Sequence, residues 1–391
     1  MADSLIAMIM GLAILAGSLL SVELGVSVAL IEIILGVIGG NFLGVHTTPW
    51  IDYLAGFASI VLTFLAGAEV DVDVLRDRFA ASVLIGGLSF LLPLLGAWGM
   101  ALWILHWAPE AAKITGVALS TTSLAVVYAV LVETGLTNTP IGKLIMASTF
   151  VTDFATAAVL SAMFIRPTVW IFAFLGVSGG IILAMPRLQP WFFRRYGNRV
   201  IEPEIKGAFA ALLVLMYFAN LADSHAVLPA FVLGLAVSRI FAAHRAEQQR
   251  FRVVAFAMLT PFFFIKAGMN VALGTVYTHL GVLGVLFAAK MITKYVGVLP
   301  VAHRYVPKHA VYTTLLMSTG LTFGTISSLY GLQAGIIDRG QFSLLITTVI
   351  LSAVIPTFIA QRWFDPRCVD PDLDSGGRRL LETSGVTGGG K

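Results

Sequence analysis

One carboxylate in this chain lies where a carboxylate is expensive. The stretch MASTFVTDFATAAVLSAMF, residues 146–164, is apolar apart from small hydroxyl residues and Asp153. The nearest basic residues along the chain are Lys143 and Arg166. An acid at the centre of a bilayer helix costs about 3 kcal/mol on insertion scales, and such acids usually mark ion or proton pathways. Two lysines, Lys290 and Lys294 in FAAKMITKYVGVLPV, are four residues apart and therefore share a helix face. Lys294 is the deeper of the two and needs a counter-charge, for which Asp153 is the candidate. Lys290 is nearer a helix end and reads as snorkelling or structural. Two runs of hydroxyl and glycine residues accompany these charges. They are Ser120, Thr121, Thr122 and Ser123, and then Ser318, Thr319, Gly320, Thr322, Gly324 and Thr325. Such runs let a membrane helix unwind, because side chains and water take over the freed backbone groups. Ser and Thr also bond back to their own helix, and glycines also permit close packing, so each run alone has a plain structural reading.

The elements that must hold these residues are membrane helices. Of 391 residues, 58% are hydrophobic and 12% charged, with a mean hydropathy of +0.90. Soluble domains carry about 25% charged residues, so this chain has too little polar surface to face water along its length. Apolar runs long enough to span a hydrocarbon core recur throughout. Pro, Gly and charge clusters predict thirteen helices near 4–20, 25–44, 52–68, 80–107, 111–133, 139–164, 168–185, 204–222, 226–242, 252–268, 278–303, 309–331 and 341–363. The apolar N-terminus has no basic residues ahead of it and reads as a first span, not a signal peptide.

Charge sets the orientation. With thirteen spans and the C-terminus inside, Lys113, Arg166 and Arg339 are the only basic residues outside, and Lys266, Lys290 and Lys294 lie within spans. The other nineteen of the 25 Lys and Arg are inside, among them Arg76, Arg78, Arg187, Arg239, Arg252 and Arg304. That asymmetry predicts N-out, C-in. Residues 364–391 are polar and Gly-rich and read as a disordered cytoplasmic tail. The tail holds the single cysteine, Cys368.

The hydroxyl runs fall in the fifth and twelfth segments, seven apart, so the second crosses in the opposite sense. This predicts two inverted six-helix repeats linked by the seventh segment, with a binding site at the breaks. Of the remaining charges, Lys266 in TPFFFIKAGMN reads as snorkelling. Glu32 in ALIEIILGVIGGNFLG either lines a cavity or braces a neighbouring helix. Glu69, Glu133, Asp223 and His225 fall at span ends, where solvated roles are the default. The seven His show no metal-ligand spacing, and no Gly-rich phosphate loop or Ser-His-Asp set is present, so neither an enzyme, a cofactor nor a nucleic-acid partner is expected.

At these residues the sequence resembles the monovalent cation/proton antiporters of the NapA and Kef type (cation:proton antiporter superfamily 2). The likeness runs over about residues 4–363 and is carried by IEIILGVIGGNFLG, LTFLAGAEVDVDVL, STTSLAVVYAVLVETG, FVTDFATA, LPAFVLGLAVS, TPFFFIKAGMN and KMITKYVGV. The resemblance implies an all-α fold with two crossing broken helices, a homodimer, and a moving core. On this reading the core helices are roughly 80–164 and 252–331, and the rest mediate dimerisation. It implies Asp153 as the acid holding Na⁺, K⁺ or H⁺, with Thr152, Thr121, Thr122 and Ser123 around the ion and Lys294, Glu32 and Thr322 in support. The sequence departs from the pattern in two places. Thr152 stands where electrogenic members carry a second acid, and Leu321, Thr322 and Phe323 stand where NapA-like members have Arg-Gly-Glu. The expected function is proton/cation exchange in an inner membrane, one for one. The rival readings are a cation channel lined by Asp153 and an organic-anion symporter that relies on Lys294.

Overall fold

A computed structural model describes residues 3–24, 27–70, 72–137, 139–163, 169–196, 202–222, 224 and 226–366. Asp223, His225, Arg166, Cys368 and nearly all of the expected tail lie outside those residues. The described chain is helical throughout. The first half holds α1 (Asp3–Leu24), α2 (Val28–Phe42), α3 (Pro49–Ala68), α4 (Val72–Asp77), α5 (Phe79–Trp103), α6 (Pro109–Ser120), α7 (Leu124–Glu133) and α8 (Pro140–Met163). After α9 (Trp170–Tyr196), the second half holds α10 (Pro203–Leu221), α11 (Val227–Ala243), α12 (Arg245–Val254) and α13 (Thr260–Met269). It closes with α14 (Leu273–Thr278), α15 (Leu280–Tyr305), α16 (Ala310–Met317), α17 (Thr322–Gln333) and α18 (Arg339–Trp363).

Among the described residues, nine helical stretches are long and apolar enough to cross a membrane, and α2 and α11 are shorter apolar helices. The pairs α6–α7 and α16–α17 occupy the two segments in which a break was expected. Three features differ from the sequence reading. The seventh segment runs on past Pro186 and Pro190 to Tyr196, since prolines are tolerated where neighbouring groups satisfy the backbone. The tenth begins earlier, as the amphipathic α12, and passes through a π-turn at Ala255–Leu259. The six-residue helices α4 and α14 are additional; too short for a periodic signal, they had none to read.

The halves pack reciprocally. Helix α2 of the first half lies on α13, α3 lies on α11 of the second half, and α5 lies along α15. Both outer crossings are made by paired glycines. A Cβ on Gly36 would strike the Ile265 carbonyl, and one on Gly268 would strike that of Ile33. At the other crossing Gly67 meets the Phe231 carbonyl and Gly234 that of Phe64. Small residues of this kind let membrane helices approach to backbone contact, where van der Waals packing replaces the hydrophobic drive. The same device at equivalent crossings is what two inverted repeats produce. One consequence departs from the sequence-based grouping: α13, expected with the core helices, packs mainly on α2 and α3.

Candidate functional site

Helix α6 ends at Ser120 because Thr121 adopts an extended backbone, with φ −67° and ψ 154°. The hydroxyls then occupy carbonyls that the break has freed. Ser120 Oγ donates to Val117 O at 2.8 Å and Thr121 Oγ1 to Ala118 O at 3.1 Å. Helix α16 ends at Met317, with Ser318 still near helical backbone angles, and Thr319 Oγ1 donates to Leu316 O at 2.8 Å. The two breaks stitch each other together. Thr122 Oγ1 donates to Met317 O at 2.9 Å, Ser123 N donates to Thr319 Oγ1 at 3.4 Å, and the hydroxyls of Ser123 and Thr322 lie 3.4 Å apart. Between them Gly320 leaves room for a charge, since a Cβ there would strike Lys290 Nζ and approach Thr121 Oγ1 at 2.7 Å.

Both buried lysines address the broken end of α6. Lys294 Nζ donates to Ser120 O at 2.8 Å, Ser89 Oγ at 2.9 Å and Thr122 Oγ1 at 3.1 Å, so its three N–H groups have three oxygens. Lys290 Nζ reaches Thr121 O at 3.5 Å. A helix C-terminus carries about half a negative charge, which makes a cation favourable there. The ion pair expected between Lys294 and Asp153 is not formed among the described residues. The half-helix end and two hydroxyls supply the lysine with partners instead.

Asp153 lies on α8 and is 1% exposed, with Oδ1 lacking any hydrogen-bond partner. It borders a cavity of about 410 Å³ whose wall also includes Ser27, Leu124, Tyr128, Thr322 and Phe323. Leu124 and Thr322 are the first residues of α7 and α17, so two helix N-termini, each partly positive, open on the carboxylate's cavity. The charges at mid-depth are thus sorted by helix polarity: ammoniums at a C-terminal end, the carboxylate beside two N-terminal ends. A second cavity of about 480 Å³ shares Glu69, Leu124, Tyr128 and Arg252 with the first and continues to Thr137, Ser238, Gln248 and Gln249.

Of the residues read from sequence, Asp153 and Thr322 meet in this cavity, with Ser123 behind Thr322. Thr121, Thr122 and Lys294 belong to the crossover that supports it. Thr152 turns away: its hydroxyl donates to Gly86 O and Ser148 O, both at 3.1 Å, and so bolts α8 to α5. Glu32 is not in the cavity wall. It is buried against α1, its Cγ 3.3 Å from the position of a Cβ on Gly17, with Oε2 lacking a partner. Lys266, read as snorkelling, reaches Asp52 at the first turn of α3 with a 2.7 Å ion pair. Sequence reasoning passed over Tyr128 and Ser27, because a lone aromatic in an apolar span or a hydroxyl beside a helix start carries no signal of its own.

The sodium/hydrogen exchanger family (transmembrane) model matches residues 7–364. A Na(+)/H(+) antiporter of Enterococcus hirae is 25% identical over 369 residues, spanning 88% of this chain and 93% of that protein. The Na(+)/H(+)-K(+) antiporter GerN of Bacillus cereus is 25% identical over 361 residues, spanning 87% and 90%. The solved sodium proton antiporter MjNhaP1 of Methanocaldococcus jannaschii shares the fold, with a TM-score of 0.68 at 16% identity over 92% of this chain and 99% of that one. This is a multi-pass membrane transporter fold in which a buried acid, Asp153, lies beside two broken helices. The chain belongs to the sodium/hydrogen exchanger family.

Proposed function

We propose that Asp153 is the exchange site of a secondary antiporter that passes protons one way and Na⁺ or K⁺ the other, one for one. The observation that carries this is the buried carboxylate with a free oxygen, bordering a cavity between the N-termini of two broken helices. A bare carboxylate is costly to carry through a low-dielectric barrier. A proton or a dehydrated alkali ion removes that cost, but the two compete for the same oxygens. Movement of the empty site is therefore suppressed, and exchange follows. Thr322 Oγ1 in the cavity wall is suited to join the carboxylate in a hard cation's oxygen shell, with water supplying the rest. The names of the relatives support both candidate ions, since GerN is described for Na⁺ and K⁺. The basic-residue asymmetry supports an inner-membrane protein with its N-terminus outside. The resemblance supports a homodimer.

One-for-one exchange rests on two residues. Thr152 replaces an acid and is spent on α5. Lys294 has three oxygen acceptors that do not include Asp153, and so has no need to release its proton. The expected result in proteoliposomes is cation-evoked dequenching of a ΔpH dye with no current on a solid-supported membrane. A current that disappears in Asp153→Asn would overturn one-for-one exchange. A conductance far above carrier rates would favour a channel instead.

A further inference from the structure

The two cavities meet at one polar cluster. Arg252 on α12 donates from Nε to Glu69 Oε1 at 3.2 Å, where Glu69 caps the end of α3. Its guanidinium carbon lies 5.9 Å from the centre of the Tyr128 ring on α7 and 6.0 Å from that of Phe256 in the π-turn. Glu69, Tyr128 and Arg252 line both cavities. Asp153 and Thr322 line only the first, whereas Arg239, Gln248 and Gln249 line only the second. An ion moving from the second cavity to Asp153 therefore passes between these side chains. An arginine at the neck of a cation pathway opposes the traffic unless something offsets it.

We infer that Glu69 is an entry station for the transported cation, and that Arg252 is a tethered competitor holding that carboxylate when no ion is present. The inference rests on the exchange reading of Asp153 and adds two specificity-determining residues to it. The pair suits such a role because it is neither fully dry nor fully wet. The side chains of Arg252 and Glu69 are 37% and 24% exposed, so the bond between them is screened and readily exchanged. The Tyr128 and Phe256 rings hold the guanidinium near the neck through cation–π attraction when it leaves the carboxylate. Without Glu69 the neck keeps a bare positive charge. Without Arg252 it keeps a bare negative one.

The test is the cation dependence of exchange in proteoliposomes for the wild type, Glu69→Gln, Arg252→Gln and the double variant. A unit charge about 10 Å from an ion path at an intermediate dielectric shifts occupancy by roughly three- to tenfold. Glu69→Gln should raise the cation KM by that factor, Arg252→Gln should lower it comparably, and the double variant should return close to wild type. Maximal rates should move less than the KM values, and Arg252→Lys should restore a wild-type KM by keeping the charge. Unchanged KM values with reduced maximal rates in both single variants would assign the pair a merely structural role and overturn the inference. The midpoint of cation-dependent thermal stabilisation in detergent should rank the four proteins in the same order without turnover. Absence of exchange in the wild type would thus count against the exchange reading alone, and loss of that ranking against the entry station alone.

Discussion

Asp153→Asn should reduce exchange to the level of empty liposomes while the protein inserts and purifies as the wild type does. The substitution is nearly isosteric, and Asp153 makes no ion pair among the described residues whose loss would unfold the chain. What it removes is a group that can hold either a proton or a cation. An amide cannot be protonated near neutral pH and offers a single uncharged oxygen in place of a carboxylate. Because the site crosses the barrier cheaply only when neutralised, the variant is permanently in a neutral form and has no cargo to deliver. The measurement is the initial rate of cation-driven ΔpH dissipation in matched proteoliposomes. Exchange within a fewfold of wild type would remove Asp153 from the mechanism.

Lys294→Ala should lower stability more than it lowers cation affinity. Loss of the ammonium leaves Ser120 O, Ser89 Oγ and Thr122 Oγ1 without a shared donor in a site closed to water. A buried acceptor left without its donor costs about 1–3 kcal/mol, so three of them cost on the order of 3–5 kcal/mol after relaxation. For a chain of this size that is a fall in melting temperature on the order of 4–6 °C. The broken end of α6 also loses its compensating charge, so the crossover loosens and the maximal exchange rate drops. Lys294 is hydrogen-bonded to the crossover and not to the carboxylate, so it acts on the cation KM only through its charge, an effect of no more than about tenfold. Thermal unfolding in detergent, read beside KM, separates the possibilities. An unchanged melting temperature with a change in KM beyond tenfold would place Lys294 at the ion site itself.

The parts of this molecule that the sequence makes legible are those written as interruptions of an apolar pattern. Asp153, the run at 120–123 and the run at 318–325 each break a hydrophobic stretch, and the structure unwinds the chain between α6 and α7 and between α16 and α17 at those places. The seven-segment offset between the runs gave the inverted repeat, which appears as the α2–α13 and α3–α11 crossings. Which polar atoms face one another is a different matter. Opposite charges at equal depth suggested an Asp153–Lys294 pair, but charge counting leaves out the half-helix carbonyls, which exist only once the helix is broken. Thr152, next to Asp153 in sequence, points to another side of α8 because neighbours on a helix are about 100° apart. Glu32 shares the depth of the site but lies across α2, facing α1. The neck of Glu69, Tyr128 and Arg252 draws on three helices far apart in sequence, which no local pattern joins.

In this mechanism a proton and a cation occupy the same carboxylate in turn. Its most direct test is the dependence of the cation KM on pH, with exchange measured at equal pH on both sides of the membrane. Competition at one group predicts that, on the acidic side of the working range, each tenfold rise in proton concentration raises KM about tenfold. Saturating cation should restore the same maximal rate. A KM that stays constant while the maximal rate falls with acidification would mean that the proton and the cation hold separate sites, and would contradict the exchange at Asp153 described above.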